Sequence, residues 1–353
     1  MPVLELKNIG KKFPGATSWA VRDFDLTVEK GEIIGLVGES GCGKTTVLRL
    51  ISGFEKPSVG SVYLHGECAA DENKFLEPQK RRVGIVFQDY ALFPHLTVMQ
   101  NIFFGMHWLD SQKADRQYNL LTEICRLKGL DKRFPHQLSG GQKQRVALAR
   151  ALAPQPDVIL FDEPFSNLDT LHKNQMRAEI GEIIRKSGAT AILVTHDTRD
   201  VLALATRAVV MKDGLKLQDE QTDKVYSQPA NSYVARFFGA VNLLSGRIID
   251  QQIITSIGSF PVLGDNVMRG PELLVCLRPE EISFCDRSTN GIPVKVLKER
   301  FLGEYIEYTV VTRDSNTETK AEHLLVHSTR PLDTQSADYF IRIKQQQPWI
   351  IEA

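Results

Sequence analysis

Hydrophobic and polar positions follow two patterns along the first 240 residues. Short alternating runs at 3–6 and 24–28 predict strands separated by turns. Nearly continuous apolar runs at 32–37, 158–161 and 189–195 are typical of strands buried on both faces of a parallel sheet. Apolar residues at helical spacing predict helices at 46–51, across 98–152 and around 175–186. Alternating strands and helices predict an α/β domain with a mostly parallel sheet.

The pattern changes near residue 240. Beyond Asn242 the apolar runs at 247–249, 273–277, 305–311 and 341–343 are short, β-like and separated by turn residues. They predict a small all-β domain, either a sandwich or a barrel. We therefore predict two domains, 1–240 and 241–353, with a helical subdomain at about 89–150.

Charge and composition narrow the possible functions. The chain has 43 Lys+Arg and 43 Asp+Glu, so its formal net charge is zero, which argues against nucleic-acid binding or polybasic membrane docking. Five cysteines without a C-x-x-C pair favour free thiols in a reducing, cytoplasmic setting. We find no signal peptide and no run of ~18 apolar residues, so we expect no membrane-spanning segment.

A glycine-rich turn lies between the buried run at 32–37 and the predicted helix at 46–51. Its sequence, GESGCGKT at 38–45, matches G-x-x-x-x-G-K-[ST] in the strand-to-helix context that phosphate binding requires. Backbone N–H groups and the helix N-terminus would face the phosphates, Lys44 would reach the β- and γ-phosphates, and Thr45 would hold Mg²⁺. The candidate ATP-binding residues here are Gly38, Ser40, Gly41, Cys42, Gly43, Lys44, Thr45 and Thr46.

Two acids end the second buried run. Asp162 and Glu163 follow four apolar residues, at the strand end where open α/β sheets place ligands. Beside a phosphate loop, Asp162 would meet Mg²⁺ directly or through water. Glu163 would act on the attacking water as general base.

A third motif, LSGGQ at 138–142, opens a predicted helix at 143–152. Ser139 and the two glycines suit a helix cap that leaves N–H groups for an anion. The order of phosphate loop, LSGGQ and ILFDEP resembles the nucleotide-binding subunit of ABC transporters, and the likeness covers nearly the whole chain. The resemblance implies a P-loop ATPase domain with a helical subdomain, followed by a small β domain.

The resemblance also implies roles for residues that the motifs alone do not identify. Phe13 would stack on adenine, with Trp19 as the alternative, and Gln88 would touch Mg²⁺ and the attacking water. Asp169 falls in the D-loop, and His196 matches the switch histidine that contacts the γ-phosphate.

In this family two subunits face head to tail, and each LSGGQ loop covers the ATP of the other. The loop residues Ser139, Gly140, Gly141 and Gln142 would therefore act in trans. Since the chain has one set of motifs, it would pair with a second ATPase subunit, as a homodimer or with a paralogue. The segment at 90–98 resembles the contact region for the permease.

The C-terminal region carries LRPEEI at 277–282 and FLGE at 301–304, which resemble the TOBE-type regulatory domain of solute importers. Importers with this domain carry ferric iron, sugars, polyamines, sulfate or glycerol phosphate, and the context of 93–97 looks most like the ferric group. Cys276 and Cys285 lack partner ligands at zinc-type spacing.

The function that we expect is ATP hydrolysis, with Mg²⁺, on the cytoplasmic face of the membrane. It would drive a permease to import a solute that a binding protein delivers. Among the solutes of these importers, the resemblance favours ferric iron. Two alternatives stay open: a non-transport ABC ATPase acting in DNA repair or on the ribosome, and a regulator-sensing module in which ATP is structural.

Overall fold

The computed structural model describes residues 2–106, 109–166, 170–261, 273–286, 291–312, 322–332, 339–344 and 347–352. The chain divides into two compact units, Met1–Val225 and Tyr226–Ala353. The boundary predicted from composition, at 240/241, lies further along the chain and stays a prediction.

The described strands of the first unit are β1 (Leu4–Lys11), β2 (Val21–Val28), β3 (Ile33–Val37), β4 (Val59–Leu64), β5 (Glu67–Ala70), β6 (Val83–Val86), β7 (Val158–Asp162), β8 (Thr190–Thr195), β9 (Arg207–Lys212) and β10 (Leu215–Gln221). The helices described along the chain are α1 (Lys44–Ser52), α2 (Val98–Phe103), α3 (Ser111–Ile124), α4 (Gly140–Leu152), α5 (Thr170–Ser187), α6 (Thr198–Leu204), α7 (Thr222–Ser227) and α8 (Ser232–Phe237).

A six-stranded sheet in the order β10-β9-β3-β8-β7-β6 forms the centre of the first unit. The pairs from β9 to β6 are parallel, and only β10 is antiparallel to its neighbour. Every residue of β3 and β8 is buried, which explains their continuous apolar sequence. The predicted α/β class with a mostly parallel sheet is confirmed.

A four-stranded antiparallel sheet in the order β2-β1-β4-β5 shares a core with β3 and α1. Helix α1 contributes Val47, Leu48, Leu50 and Ile51 to this core. Its C-terminus is held by the fully buried guanidinium of Arg81, which donates to the carbonyls of Leu50 (2.6 Å) and Ile51 (2.9 Å). This contact fixes the helix that follows the phosphate loop.

The region between β6 and β7 is helical, as predicted. Helices α2 and α4 begin at capping boxes, in which Thr97 pairs with Gln100 and Ser139 pairs with Gln142. Their apolar faces join one buried cluster with the β7 face and α5. Helix α4 begins at Gly140, within the LSGGQ motif and earlier than predicted. The cap therefore places the motif at the helix N-terminus.

The second unit is rich in strands. Those described are β11 (Asn242–Ile249), β12 (Gln252–Thr255), β13 (Gly258–Pro261), β14 (Leu273–Leu277), β15 (Ile282–Cys285), β16 (Ile292–Phe301), β17 (Ile306–Thr312), β18 (His323–Ser328), β19 (Tyr339–Ile343) and β20 (Trp349–Glu352). They form two five-stranded antiparallel sheets, β13-β12-β11-β14-β20 and β15-β19-β16-β17-β18. Both sheets contribute to a single core that includes Val275 and Tyr308. The described part of this region agrees with the predicted β domain.

The LRPE motif has a structural role in this unit. Arg278 is buried and donates to the carbonyls of Ala235 (2.9 Å) and Tyr226 (2.8 Å). Its guanidinium also lies over the Tyr226 ring at 4.1 Å from the centroid. The motif thus anchors the segment that contains α8. Among the described residues, we find no helix with the length and apolarity needed to span a membrane.

Candidate ATP-binding and hydrolysis site

The register of the parallel sheet brings the predicted site residues to one edge. Val37 of β3 is paired with Thr195 of β8, and Asp162 of β7 is paired with Val194 of β8. The residues that follow these strand ends are therefore neighbours in space: the loop from Gly38, the acid Glu163 and the histidine His196. This is the carboxyl edge, where open α/β sheets bind ligands.

The loop at 38–45 has a backbone that requires glycine. Gly43 has φ 110°, and a Cβ there would lie 2.3 Å from the carbonyl oxygen of Ala20. At Gly38 a Cβ would lie 2.2 Å from the carbonyl oxygen of Met211. The chain therefore packs closely on both sides of the loop, and the glycines let it turn directly into α1.

Lys44 begins α1, and its ammonium is turned into the loop. It donates to the carbonyls of Gly38 (2.7 Å) and Glu39 (2.8 Å), and the residue is only 5% exposed. The N–H groups of Lys44, Thr45 and Thr46 precede the first intrahelical hydrogen bond, from Val47 to Gly43. This set of N–H groups beside a buried cation suits a polyphosphate.

The other loop side chains differ in exposure. Ser40, Gly41 and Thr45 are exposed, whereas Cys42 is buried. Burial raises the pKa of the Cys42 thiol, and the nearby Lys44 charge only partly opposes this shift. Cys42 is therefore a neutral packing residue, so that its contribution to anion binding would come from its backbone.

Asp162 ends β7 beside the loop. Burial and the neighbouring charge of Glu163 raise its pKa, while Arg49 and Lys44 lower it. A nearby cation would stabilise the ionised form of this carboxylate, so the site fits the Mg²⁺ that accompanies ATP. In the part of the chain that the structure describes, no cluster of three or more His, Cys, Asp or Glu is placed to hold a metal ion by itself.

Glu163 and His196 are in direct contact. The Nδ1 atom of His196 lies 3.1 Å from the Oε1 atom of Glu163, with the imidazole 52% exposed and the carboxylate side chain 26% exposed. The two residues directly follow the ends of β7 and β8, and both side chains are accessible to solvent. A carboxylate held by an imidazole at this place can accept a proton from a water molecule.

The backbone of Glu163 is left-handed, with φ 46°, which is unfavourable for a residue other than glycine. Three hydrogen bonds hold it there: its N–H donates to the carbonyl of Val194 (2.9 Å), and its carbonyl accepts from the N–H (3.2 Å) and hydroxyl (2.9 Å) of Ser166. Such conformations concentrate at functional sites.

The loop that carries His196 is braced by residues that the sequence analysis missed. Arg177 of α5 donates to Asp197 (2.8 Å) and Asp200 (2.6 Å), and the hydroxyl of Thr195 donates to Asp200 (2.7 Å). The Asp197 side chain also caps α6 by accepting from the N–H of Arg199. A helix-cap pattern after His196 could have revealed Asp197, but no sequence pattern links Arg177 to this loop.

Two residues assigned from the family resemblance, Gln88 and Phe13, follow strands of different sheets. Gln88 is exposed two residues after β6, whose Val86 is paired with Phe161 of β7, so it belongs to the same sheet edge. Phe13 lies in the turn after β1, with the Lys11 ammonium 5.1 Å from its ring centroid. Trp19 is 37% exposed and packs beside Gly10.

The LSGGQ motif is a preformed helix cap. The hydroxyl of Ser139 accepts from the N–H of Gln142 (3.3 Å), and the Gln142 side chain accepts from the N–H of Ser139 (3.0 Å). Gly140 and Gly141 form the first turn of α4, and a Cβ at Gly141 would lie 3.0 Å from the sulfur of Met176. The predicted D-loop residue Asp169 lies outside the described residues.

Known proteins resemble this chain over most of its length. A family model described as ABC transporter matches residues 21–166. The putrescine transport ATP-binding protein PotG of Escherichia coli (strain K12) is 38% identical over 323 residues, covering 88% of this chain and 84% of that protein. The Fe(3+) ions import ATP-binding protein FbpC of Agrobacterium fabrum is 34% identical over 353 residues, covering 98% of this chain and 97% of that protein.

A solved structure, the dimer of an ATP-binding cassette in a post-hydrolysis state bound to ADP and Pi, superposes with a TM-score of 0.53 and 30% identity. The match covers 62% of this chain and 98% of that one. The chain therefore belongs to the ATP-binding subunits of ABC importers, which bind ATP with Mg²⁺ and couple its hydrolysis to transport.

Proposed function

We propose that the carboxyl edge of the six-stranded sheet is the ATP hydrolysis site, with Glu163 as the general base. The observation that carries this proposal is the contact between Glu163 and His196 beside the phosphate loop. Glu163 accepts a proton from the attacking water, and His196 fixes the carboxylate and meets the γ-phosphate.

In this proposal the loop binds the polyphosphate of the substrate, MgATP. The Lys44 ammonium exchanges its loop carbonyls for phosphate oxygens, and the first-turn N–H groups of α1 donate to them. Thr45, Gln88 and Asp162 would hold Mg²⁺, which would neutralise phosphate charge. Phe13 stacks on the adenine ring. Asp169, in the predicted D-loop, would also belong to the ATP-binding residues.

A second copy of the chain supplies the remaining part of the site. The N-terminus of α4, with Ser139, Gly140, Gly141 and Gln142, is a capped helix end of the kind that binds anions, and its first two residues are exposed. In the proposed head-to-tail homodimer it covers the γ-phosphate bound by the partner. The related cassette solved as a dimer with ADP and Pi supports this proposal.

The replacement Glu163→Gln tests the assignment. It keeps the size of the side chain but removes the base, so we expect ATP hydrolysis to fall at least about 100-fold, in line with general-base catalysis. ATP binding is expected to persist, and ATP should trap the dimer. The matched control is Glu67→Gln, at the exposed first residue of β5, which should hydrolyse ATP like the wild type. Undiminished hydrolysis in E163Q would refute the role of Glu163.

The solute that we propose is ferric iron, imported through a permease at the cytoplasmic face of the membrane from a solute-binding protein. The end-to-end alignment with the ferric import protein of Agrobacterium fabrum supports it. A polyamine is the second candidate, because the putrescine transport protein PotG is 38% identical over 323 residues. The segment 90–108, which follows Gln88 in the sequence, would transmit the ATP-driven motion to the permease.

Uptake by cells separates the two solutes. A strain lacking this chain is complemented with the wild type or with E163Q, and uptake of ⁵⁵Fe³⁺ and of radiolabelled putrescine is measured. Restoration of iron uptake by the wild type alone supports the ferric proposal. Restoration of putrescine uptake alone would replace it with the polyamine proposal. Restoration of neither would refute both solutes and leave the site assignment to be decided by the ATPase assay.

A further inference from the structure

A buried polar network encloses the loop that carries His196. Arg177 is 6% exposed and Asp200 is 3% exposed, so both charges lie away from solvent. The Nε atom of Arg177 donates to Asp200 (2.6 Å), and one of its terminal nitrogens donates to Asp197 (2.8 Å). Its other terminal nitrogen donates to Asn174 (2.9 Å), on its own helix. The guanidinium, which is carried by α5, thus binds two carboxylates that follow His196 in the sequence.

The network continues through Thr195, on the other side of His196. The Thr195 hydroxyl donates to Asp200 (2.7 Å) and accepts from the N–H of Asp197 (3.0 Å). Thr195 is 2% exposed. The residues immediately before and after His196 are therefore both fixed by the same set of hydrogen bonds.

His196 itself has little packing to orient it. Its side chain is 52% exposed, and its ring contacts the Glu163 carboxylate at 3.1 Å. The direction of the imidazole is therefore set mainly by the backbone on either side of it. A planar guanidinium with several donors fixes such a backbone more closely than a flexible ammonium does.

We infer that Arg177 is a positioning residue for hydrolysis, which acts by fixing the His196 loop so that the imidazole holds the Glu163 carboxylate. This inference rests on the proposed function, since it assigns Arg177 a role only through His196 and Glu163. Arg177 does not act on the nucleotide, so its loss lowers turnover while ATP binding stays intact.

The test compares kcat and KM for MgATP in Arg177→Met, alone and in a His196→Ala background. We expect R177M to lower kcat at least tenfold with KM within twofold of the wild type. In the H196A background the same change should alter kcat less than twofold, because the residue it positions is gone. Arg177→Lys should recover part of the lost kcat.

The control is Arg207→Met at the start of β9. It removes a less buried arginine that is also paired with two carboxylates, those of Asp219 (2.6 Å) and Glu32 (3.3 Å). A purely structural effect of arginine loss would lower kcat in R207M as well, whereas we expect it within twofold of the wild type. If R177M does not fold, Thr195→Val replaces it, because this change cuts the network on the other side of His196. T195V should lower kcat threefold or more.

Three outcomes would overturn the inference. If R177M, or T195V where R177M is unfolded, keeps the wild-type kcat while H196A has a lowered but measurable kcat, the positioning role is refuted and the proposed function stands. An equal loss from R177M with and without His196 would show that Arg177 acts by another route. Wild-type kcat in H196A would refute the role proposed for His196, and the positioning role with it.

Discussion

Replacing Glu163 by glycine and by alanine separates the energetic cost of its backbone from the chemistry of its side chain. Both variants lose the carboxylate and its contact with His196, so both should lose ATP hydrolysis. They differ in how they tolerate the left-handed conformation, with φ 46°, that the hydrogen bonds from Ser166 and to Val194 impose. We expect the glycine variant to be the more stable of the two.

The magnitude follows from the backbone. A non-glycine residue in the left-handed region costs about 1–2 kcal/mol. Glycine relieves this cost but loses about 0.5–1 kcal/mol more conformational entropy on folding than alanine does. The glycine variant should therefore be more stable by roughly 0.75 kcal/mol, which corresponds to a melting temperature about 1.5–3 °C higher for a unit of this size.

Differential scanning calorimetry of the nucleotide-free variants measures this difference. The relevant transition is the one that ATP shifts upward in the wild type, because a ligand stabilises the unit that binds it. The exposed contact with His196 is absent from both variants and cancels in the comparison. An alanine variant that melts at the same temperature as the glycine variant, or higher, would refute the argument that the Glu163 backbone is strained.

Three further predictions concern charge. Lys44→Met should weaken ATP binding at least tenfold in equilibrium dialysis, because it removes the buried cation of the loop; unchanged affinity would contradict this. Asp162→Asn should raise the melting temperature of the nucleotide-free protein at pH 7 while lowering Mg²⁺-dependent hydrolysis. Burial and the Glu163 charge raise the pKa of Asp162 in the folded state above its value in the unfolded chain. The ionised carboxylate therefore destabilises the folded state at a pH above both values, whereas the protonated form does not do so at a pH below both. The higher melting temperature of Asp162→Asn should therefore vanish at a pH well below the pKa of Asp162 in the unfolded chain. A difference that persists at that pH would contradict the electrostatic cause. Burial raises the pKa of Cys125 and of Cys276 to about 12, so iodoacetamide at pH 8 should label them only after unfolding, as read by peptide mass spectrometry; rapid native labelling would contradict their burial.

Some elements of the fold were predictable because their local sequence is dictated by burial. Strands β3, β7 and β8 are covered on both faces, so they are continuous apolar runs. Strand β10 was not predicted, because its sequence LKLQDEQ is polar and it is held in place by pairing with β9 at the sheet edge. Strands β4 and β5 were also missed, since β4 gains stability from pairing with distant β1 and β5 from pairing with β4.

The sequence by itself determined the phosphate loop, the LSGGQ cap and the acidic strand end. Each depends on the conformation of a few consecutive residues, in which glycine, serine and lysine have fixed roles. The tertiary structure alone decided that Glu163 contacts His196 and that Arg177 braces the loop around it. Those partners lie on different strands and helices, so their meeting depends on sheet order, register and helix packing, which no local pattern encodes.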